Sequence, residues 1–212
     1  MLVVLTVLGM AGRGPLSALG GIGSAAGRMG ESAMRTMGLA PSSTPVAEWH
    51  AGEVPELYQI DPVWADEPYA GGTVGVNGCG PTCLTMAYVA LTGRTDMDPA
   101  AIAAFSEREG YTVDGMTAWA LMTEGAHTLG LTSEELPANA ASIRAALEAG
   151  QVIIASVRPG DFTTTGHFIV LAGIAANGEL EIRDPNSAER THETWSIDRV
   201  LGQCANLWAL SA

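Results

Sequence analysis

The sequence predicts an α+β fold, with N-terminal helices packed on an antiparallel sheet, and three observations lead there. Apolar residues recur at three- and four-residue spacing between about residues 82 and 149, the period of helices. Beyond residue 150 the pattern turns into short continuous or alternating apolar runs, the period of strands. Helices first and strands second suit a sheet covered by helices, not a parallel βαβ array. No internal repeat, heptad or nucleotide-binding glycine fingerprint interrupts this reading.

The 212 residues divide into three regions. Residues 1–28 are an apolar leader. Met1 to Gly12 carries no charge and is too short to span a bilayer, which takes about 20 helical residues. Its length suits the apolar part of a signal peptide or a membrane anchor, and Ser24-Ala25-Ala26 offers small residues for cleavage, although a basic start is missing. The alternative is a buried N-terminal strand or helix. Residues 29–54 read as a linker, with prolines and small polar residues towards its end. Residues 55–212 form the folded domain.

Within the domain, Gly78-Cys79-Gly80-Pro81 is turn chemistry, and proline is tolerated in a first helical turn. Cys83, Met86, Ala87 and Ala90 then mark a helix from Thr82 to about Leu91, with Gly93 as its stop. Further helices are expected from Asp98 to Glu109, Asp114 to Leu129 and Asn139 to Ala149, with Asp98 and Asn139 as N-caps. Strands are expected at Val152–Val157, His167–Ile174, Glu179–Asp184 and Asn206–Leu210. Asn177-Gly178 supplies a hairpin turn between the second and third.

All ten basic residues are arginine, which removes lysine Schiff bases, phosphate-cradling lysines and Ser-Lys dyads. A net charge of −13 argues against a nucleic-acid partner. The acidic surface suggests cationic substrates or partners, although solvation alone explains it as well. The three cysteines form no Cys-x-x-Cys pair and the four histidines are scattered, so neither a metal nor a cofactor is implied.

The chemistry concentrates on Cys79. It lies in a glycine-rich turn feeding a helix N-terminus, where the helix dipole and free N–H groups favour the nucleophilic thiolate. Gly78 and Gly80 permit close approach of backbone or substrate. His167 opens an apolar strand, and Asp184 ends the strand that follows across the hairpin. The pair therefore shares one end of the sheet, where a carboxylate can orient an imidazole base. The bland alternative is a packed thiol, a strand-end histidine and an aspartate that merely opens the Asp-Pro-Asn-Ser turn.

Four blocks, YQIDPVW (Tyr58–Trp64), GCGPTCLTM (Gly78–Met86), GHFIVL (Gly166–Leu171) and RDPNS (Arg183–Ser187), occur in the order found in the C39-like family 2, papain-fold cysteine peptidases. The likeness covers about residues 55–210. It implies a papain-like fold, Cys79 as nucleophile, His167 as general base and then acid, and Asp184 as the group orienting the ring. It also implies Gln59 as oxyanion-hole donor beside the Cys79 N–H. Here the chain departs from the transporter-linked branch, whose glutamine lies only a few residues before the cysteine. Cys83 is expected to pair with Cys204, leaving Cys79 free; two reduced buried thiols are the alternative.

The expected function is peptide or amide hydrolysis through a Cys79-His167-Asp184 triad and a thioester acyl-enzyme, on a peptide or protein substrate. The competing expectation is a catalytically silent C39-like binding module on an exported or surface protein. The leader adds an extracytoplasmic location, secreted or attached to a membrane through residues 1–28. Arg158 or Arg183 is the cation expected nearest the thiol.

Overall fold

A computed structural model describes residues 41–212, and the leader lies outside these described residues. After a 3-10 turn at Val46–Glu48 comes a small ribbon of β1 (Pro68–Tyr69) and β2 (Gly72–Thr73). Two helices follow in immediate succession, α1 (Val74–Asn77) and α2 (Cys79–Thr92), then α3 (Pro99–Arg108). A second ribbon, β3 (Thr112–Val113) and β4 (Met116–Thr117), leads through a 3-10 turn at Trp119–Met122 into α4 (Glu124–Thr128), β5 (Thr132–Glu135) and α5 (Ala140–Glu148). The sheet strands are β6 (Val152–Val157), β7 (His167–Ile174) and β8 (Leu180–Arg183). The chain closes with α6 (Ala188–Thr191), β9 (Thr194–Trp195), α7 (Ile197–Leu201) and β10 (Cys204–Ser211).

One antiparallel sheet organises the domain in the order β5-β10-β6-β7-β8-β9. Side chains alternate across a strand, and both faces here are apolar. Ile154, Val170 and Trp208 face the core under α2, whereas Ile153, Ile169 and Leu207 face the core under α5 and α7. The expected α+β arrangement is therefore what the chain adopts, with helices on both sides of the sheet.

Helix α2 is buried without a break from Gly80 to Ala90, as a helix apolar on all sides must be. It packs against β6, β7 and α3, and stops at Gly93, whose φ of 69° lies in the left-handed region glycine tolerates. The expected N-caps form: Asp98 accepts from the Ala101 N–H at 2.7 Å and Asn139 from the Ser142 N–H at 2.9 Å.

Three expectations need correction. The expected helix from Asp114 to Leu129 is a hairpin, a 3-10 turn and a five-residue helix instead. Asp114 and Gly115 have φ of 50° and 76°, which makes them a tight hairpin turn and excludes helix there. Thr132–Glu135, where no strand is expected, is an edge strand on β10, with Glu134 and Glu135 exposed. The Cys83–Cys204 disulfide is not formed, since all three thiols are free. Cys83 packs in the core beneath α2 and Cys204 in the core on the opposite face of the sheet.

Residues 41–54, inside the stretch read as linker, lie against the domain. Trp49 and Val54 join the core under α2, and the Ser43 N–H donates to Asp61 Oδ2 at 2.8 Å.

Candidate active site

Cys79 is the first residue of α2, half-exposed, at a corner where α1 ends and α2 begins. That corner leaves no room for side chains at its glycines. A Cβ on Gly78 would meet the Val74 carbonyl oxygen at 2.4 Å, and one on Gly80 would meet Thr117 Cγ2 at 2.6 Å. The close approach expected at these glycines is thus made by the protein's own backbone and by β4.

His167 opens β7 opposite Val157 of β6, in the sheet that α2 crosses. Asp184 follows β8 directly. The β7–β8 hairpin carries a register shift between Leu171 and Gly173, and Arg183 pairs with Val170, so Asp184 comes level with Ile169, two residues from His167. His167 Nε2 lies 2.8 Å from Asp184 Oδ1, with the two side chains 7% and 0% exposed. That contact leaves Nδ1 as the ring nitrogen open to the Cys79 thiol, which lines the same cleft and helps to raise the imidazole pKa.

Asp184 is held from all sides. Oδ1 also accepts the Asn186 N–H at 2.8 Å, and Oδ2 accepts from Arg190 Nε at 2.5 Å. Its own N–H donates to Thr191 Oγ1 at 3.0 Å. Burial opposes the charge on Asp184, but His167 and Arg190 outweigh it and bring its pKa below the ordinary value. Burial likewise opposes charging His167, yet the Asp184 carboxylate, aided by its hydrogen bond to the ring and by Cys79, raises the imidazole pKa to about 10.

Arg190 was not legible in the sequence. It sits six residues past Asp184 and returns because Ser187 caps α6, accepting the Arg190 N–H at 3.1 Å. The two arginines expected near the thiol face elsewhere. Arg183 donates to the Val54 carbonyl at 3.3 Å, and Arg158 donates to the Cys204 carbonyl.

Gln59 is buried close to the same corner. Its Nε2 donates to the carbonyls of Gly75 at 3.0 Å and Val76 at 3.4 Å, and its N–H donates to the Pro185 carbonyl at 2.7 Å. It therefore bridges α1 and the Asp184 turn. Its Oε1 has no partner among the described residues.

Cys79 and His167 open onto a cleft of about 450 Å³, walled by the β3–β4 ribbon, Ala118 and Trp119 on one side and by Thr165 to Phe168 on the other. Among the described residues no group of histidine, cysteine and acidic side chains could hold a metal ion, and no helix is long and apolar enough to cross a membrane.

The sequence profile of the Peptidase C39 like family matches residues 52–211. The chain belongs to that family. The C39-like domain is also similar to two solved structures. One is the peptidase domain of Streptococcus ComA, a bi-functional ABC transporter involved in a quorum-sensing pathway; it is 21% identical, with 64% of this chain and 90% of that one covered and a TM-score of 0.46. The other, a C39-like peptidase from Bacillus anthracis, is 13% identical, with 64% and 89% covered and a TM-score of 0.45. No curated protein matches the C39-like chain.

Proposed function

We propose that this C39-like domain is a thiol hydrolase that cleaves a peptide or amide bond by acyl transfer. The observation that carries the reading is one buried imidazole, tied to Asp184 through Nε2 at 2.8 Å and lining the same cleft as the only half-exposed cysteine. The proton of the Cys79 thiol passes to His167 Nδ1, where the buried carboxylate stabilises the imidazolium. The thiolate attacks the carbonyl carbon, and the tetrahedral oxyanion faces the start of α2. There the first backbone N–H groups of the helix have no acceptor within it. Collapse sends the His167 proton to the leaving amine and leaves a thioester on Cys79. A water molecule, deprotonated by His167, attacks the thioester and restores the thiol.

Gln59 is the second oxyanion donor in this scheme. Its Nε2 carries two hydrogens; the bond to Gly75 is well formed at 3.0 Å, whereas the 3.4 Å contact with Val76 is weak enough to yield to an oxyanion. Asp184 holds the ring in one tautomer, and Arg190 holds Asp184. The apolar leader places the activity outside the cytoplasm in this proposal.

The test is hydrolysis of a mixed-sequence peptide library followed by mass spectrometry. Wild-type protein should release new termini, and Cys79→Ala and His167→Ala should each abolish them. A wild-type protein that binds peptides and leaves every one intact would replace the hydrolase with the silent binding module.

A further inference from the structure

The cleft beside Cys79 gathers most of the large hydrophobic side chains that the described residues leave exposed. Six large hydrophobic side chains are exposed, and four of them, Val76, Val113, Met116 and Trp119, line this one cleft. They are exposed by 67%, 50%, 60% and 48%. A contiguous apolar patch beside a reactive group is the mark of a binding surface, since scattered single residues need no partner.

The electrostatics select the kind of partner. The chain carries a net −13, yet no lining residue other than Cys79 and His167 can ionise. No lining residue is a carboxylate that could pair with an arginine or lysine side chain, and the nearest along the wall, Asp114, lies at the exposed tip of the β3–β4 ribbon. A pair of glycines would leave the four apolar faces uncovered.

The cleft wall is also built to hold its position. Trp119 packs edge-on against the fully buried Trp208, with ring centroids 5.5 Å apart, and Trp208 lies 6.2 Å from the ring of Phe168. The ribbon is anchored through Thr117, whose Oγ1 is 2.9 Å from the Tyr69 hydroxyl and whose side chain abuts Gly80, next to the nucleophile. The distance from wall to thiol is therefore fixed by packing and not by a free loop.

We propose that this cleft is a substrate subsite for a bulky, uncharged aliphatic or aromatic side chain of a peptide lying across Cys79, with the β3–β4 ribbon and Trp119 as its specificity-determining wall. The proposal rests on the hydrolase reading for the orientation of the peptide. It departs from the cationic substrate that net charge alone suggests.

The experiment is isothermal titration calorimetry of the Cys79→Ser protein with N-acetylated, C-amidated polyalanine hexapeptides. Each peptide carries one Leu, Phe, Gly or Arg, moved through every position. At one position Leu and Phe should tighten binding by roughly 10- to 100-fold over Gly, with no gain for Arg. Met116→Ser and Val113→Ser, both at exposed sites, should each remove a large part of that gain, and Trp119 emission should shift on binding. Gly or Arg binding as tightly as Leu at every position would overturn the subsite. So would a Leu preference that survives both wall substitutions. Cleavage by wild-type protein with glycine preferred would sink the subsite alone. An apolar preference in binding with no cleavage of any peptide would keep the subsite and sink the hydrolase.

Discussion

Replacing Asp184 by asparagine should destabilise the domain in a pH-dependent way. Three donors converge on this carboxylate, from His167 Nε2, the Asn186 N–H and Arg190 Nε, at 2.8, 2.8 and 2.5 Å. Asparagine offers one oxygen in place of two and points N–H groups at a donor. Removing one member of a buried ion pair costs about 3–5 kcal/mol. Arg190, a quarter exposed, can recover part of its hydration, so about 2–4 kcal/mol is expected here.

The pH dependence follows from the two shifts. The lowered pKa of Asp184 makes its contribution present above the ordinary 3.8 and lost as pH falls through the folded value. The raised pKa of His167 makes its contribution present below 6.5 and lost as pH rises through about 10. The stability gap between wild type and Asp184→Asn should therefore be widest between about pH 4 and pH 6.5 and narrow on either side. Urea unfolding followed by circular dichroism at about pH 5.5, 7.5 and 10 measures it. A gap that stays constant across that range, or grows towards the alkaline end, would refute the buried pair.

Three further outcomes are expected. Gly78→Ala should destabilise the domain by about 2–3 kcal/mol in thermal unfolding, because the new Cβ meets backbone that cannot step aside; an unchanged melting temperature would contradict the geometry at the α1–α2 corner. Arg190→Gln should lower kcat by about tenfold with little change in KM, and Arg190→Lys should restore part of it, since Arg190 acts through Asp184 and touches no substrate. Alkylation of the denatured protein without reductant should add three adducts by intact mass; a single adduct would restore the Cys83–Cys204 disulfide.

Much of the fold was legible because local chemistry and tertiary packing agree along it. Val152–Val157 and His167–Ile174 form strands with the bounds their apolar runs suggest. Asp98 and Asn139 cap helices because their short side chains reach the free N–H groups of the first turn. The Asn177-Gly178 turn was enough to bring His167 and Asp184 to the same end of the sheet.

What failed had competing signals. Apolar spacing from Asp114 to Leu129 resembles a helix, but Asp114-Gly115 is itself a strong hairpin signal and fixes the backbone first. The strand at Thr132–Glu135 carries no apolar run to announce it, because an edge strand can be mostly exposed, as Glu134 and Glu135 are, and still pair. Arg190 could not be found from spacing. It depends on a one-turn helix that folds the chain back onto Asp184, and on burial that makes a carboxylate need two partners. The cleft wall escaped for the same reason as the hairpin that builds it.

The central claim is that Cys79 and His167 act as one thiol–imidazole unit, and labelling of the native protein tests it most directly. Cys83 and Cys204 are buried, and burial raises the pKa of both thiols, most of all that of Cys83. With iodoacetamide near neutral pH and mass spectrometry of each cysteine peptide, Cys79 should be modified first. His167→Ala should slow that modification by about tenfold or more, because the proton acceptor is gone. Equal labelling of all three thiols, or a Cys79 rate indifferent to His167→Ala, would contradict the account.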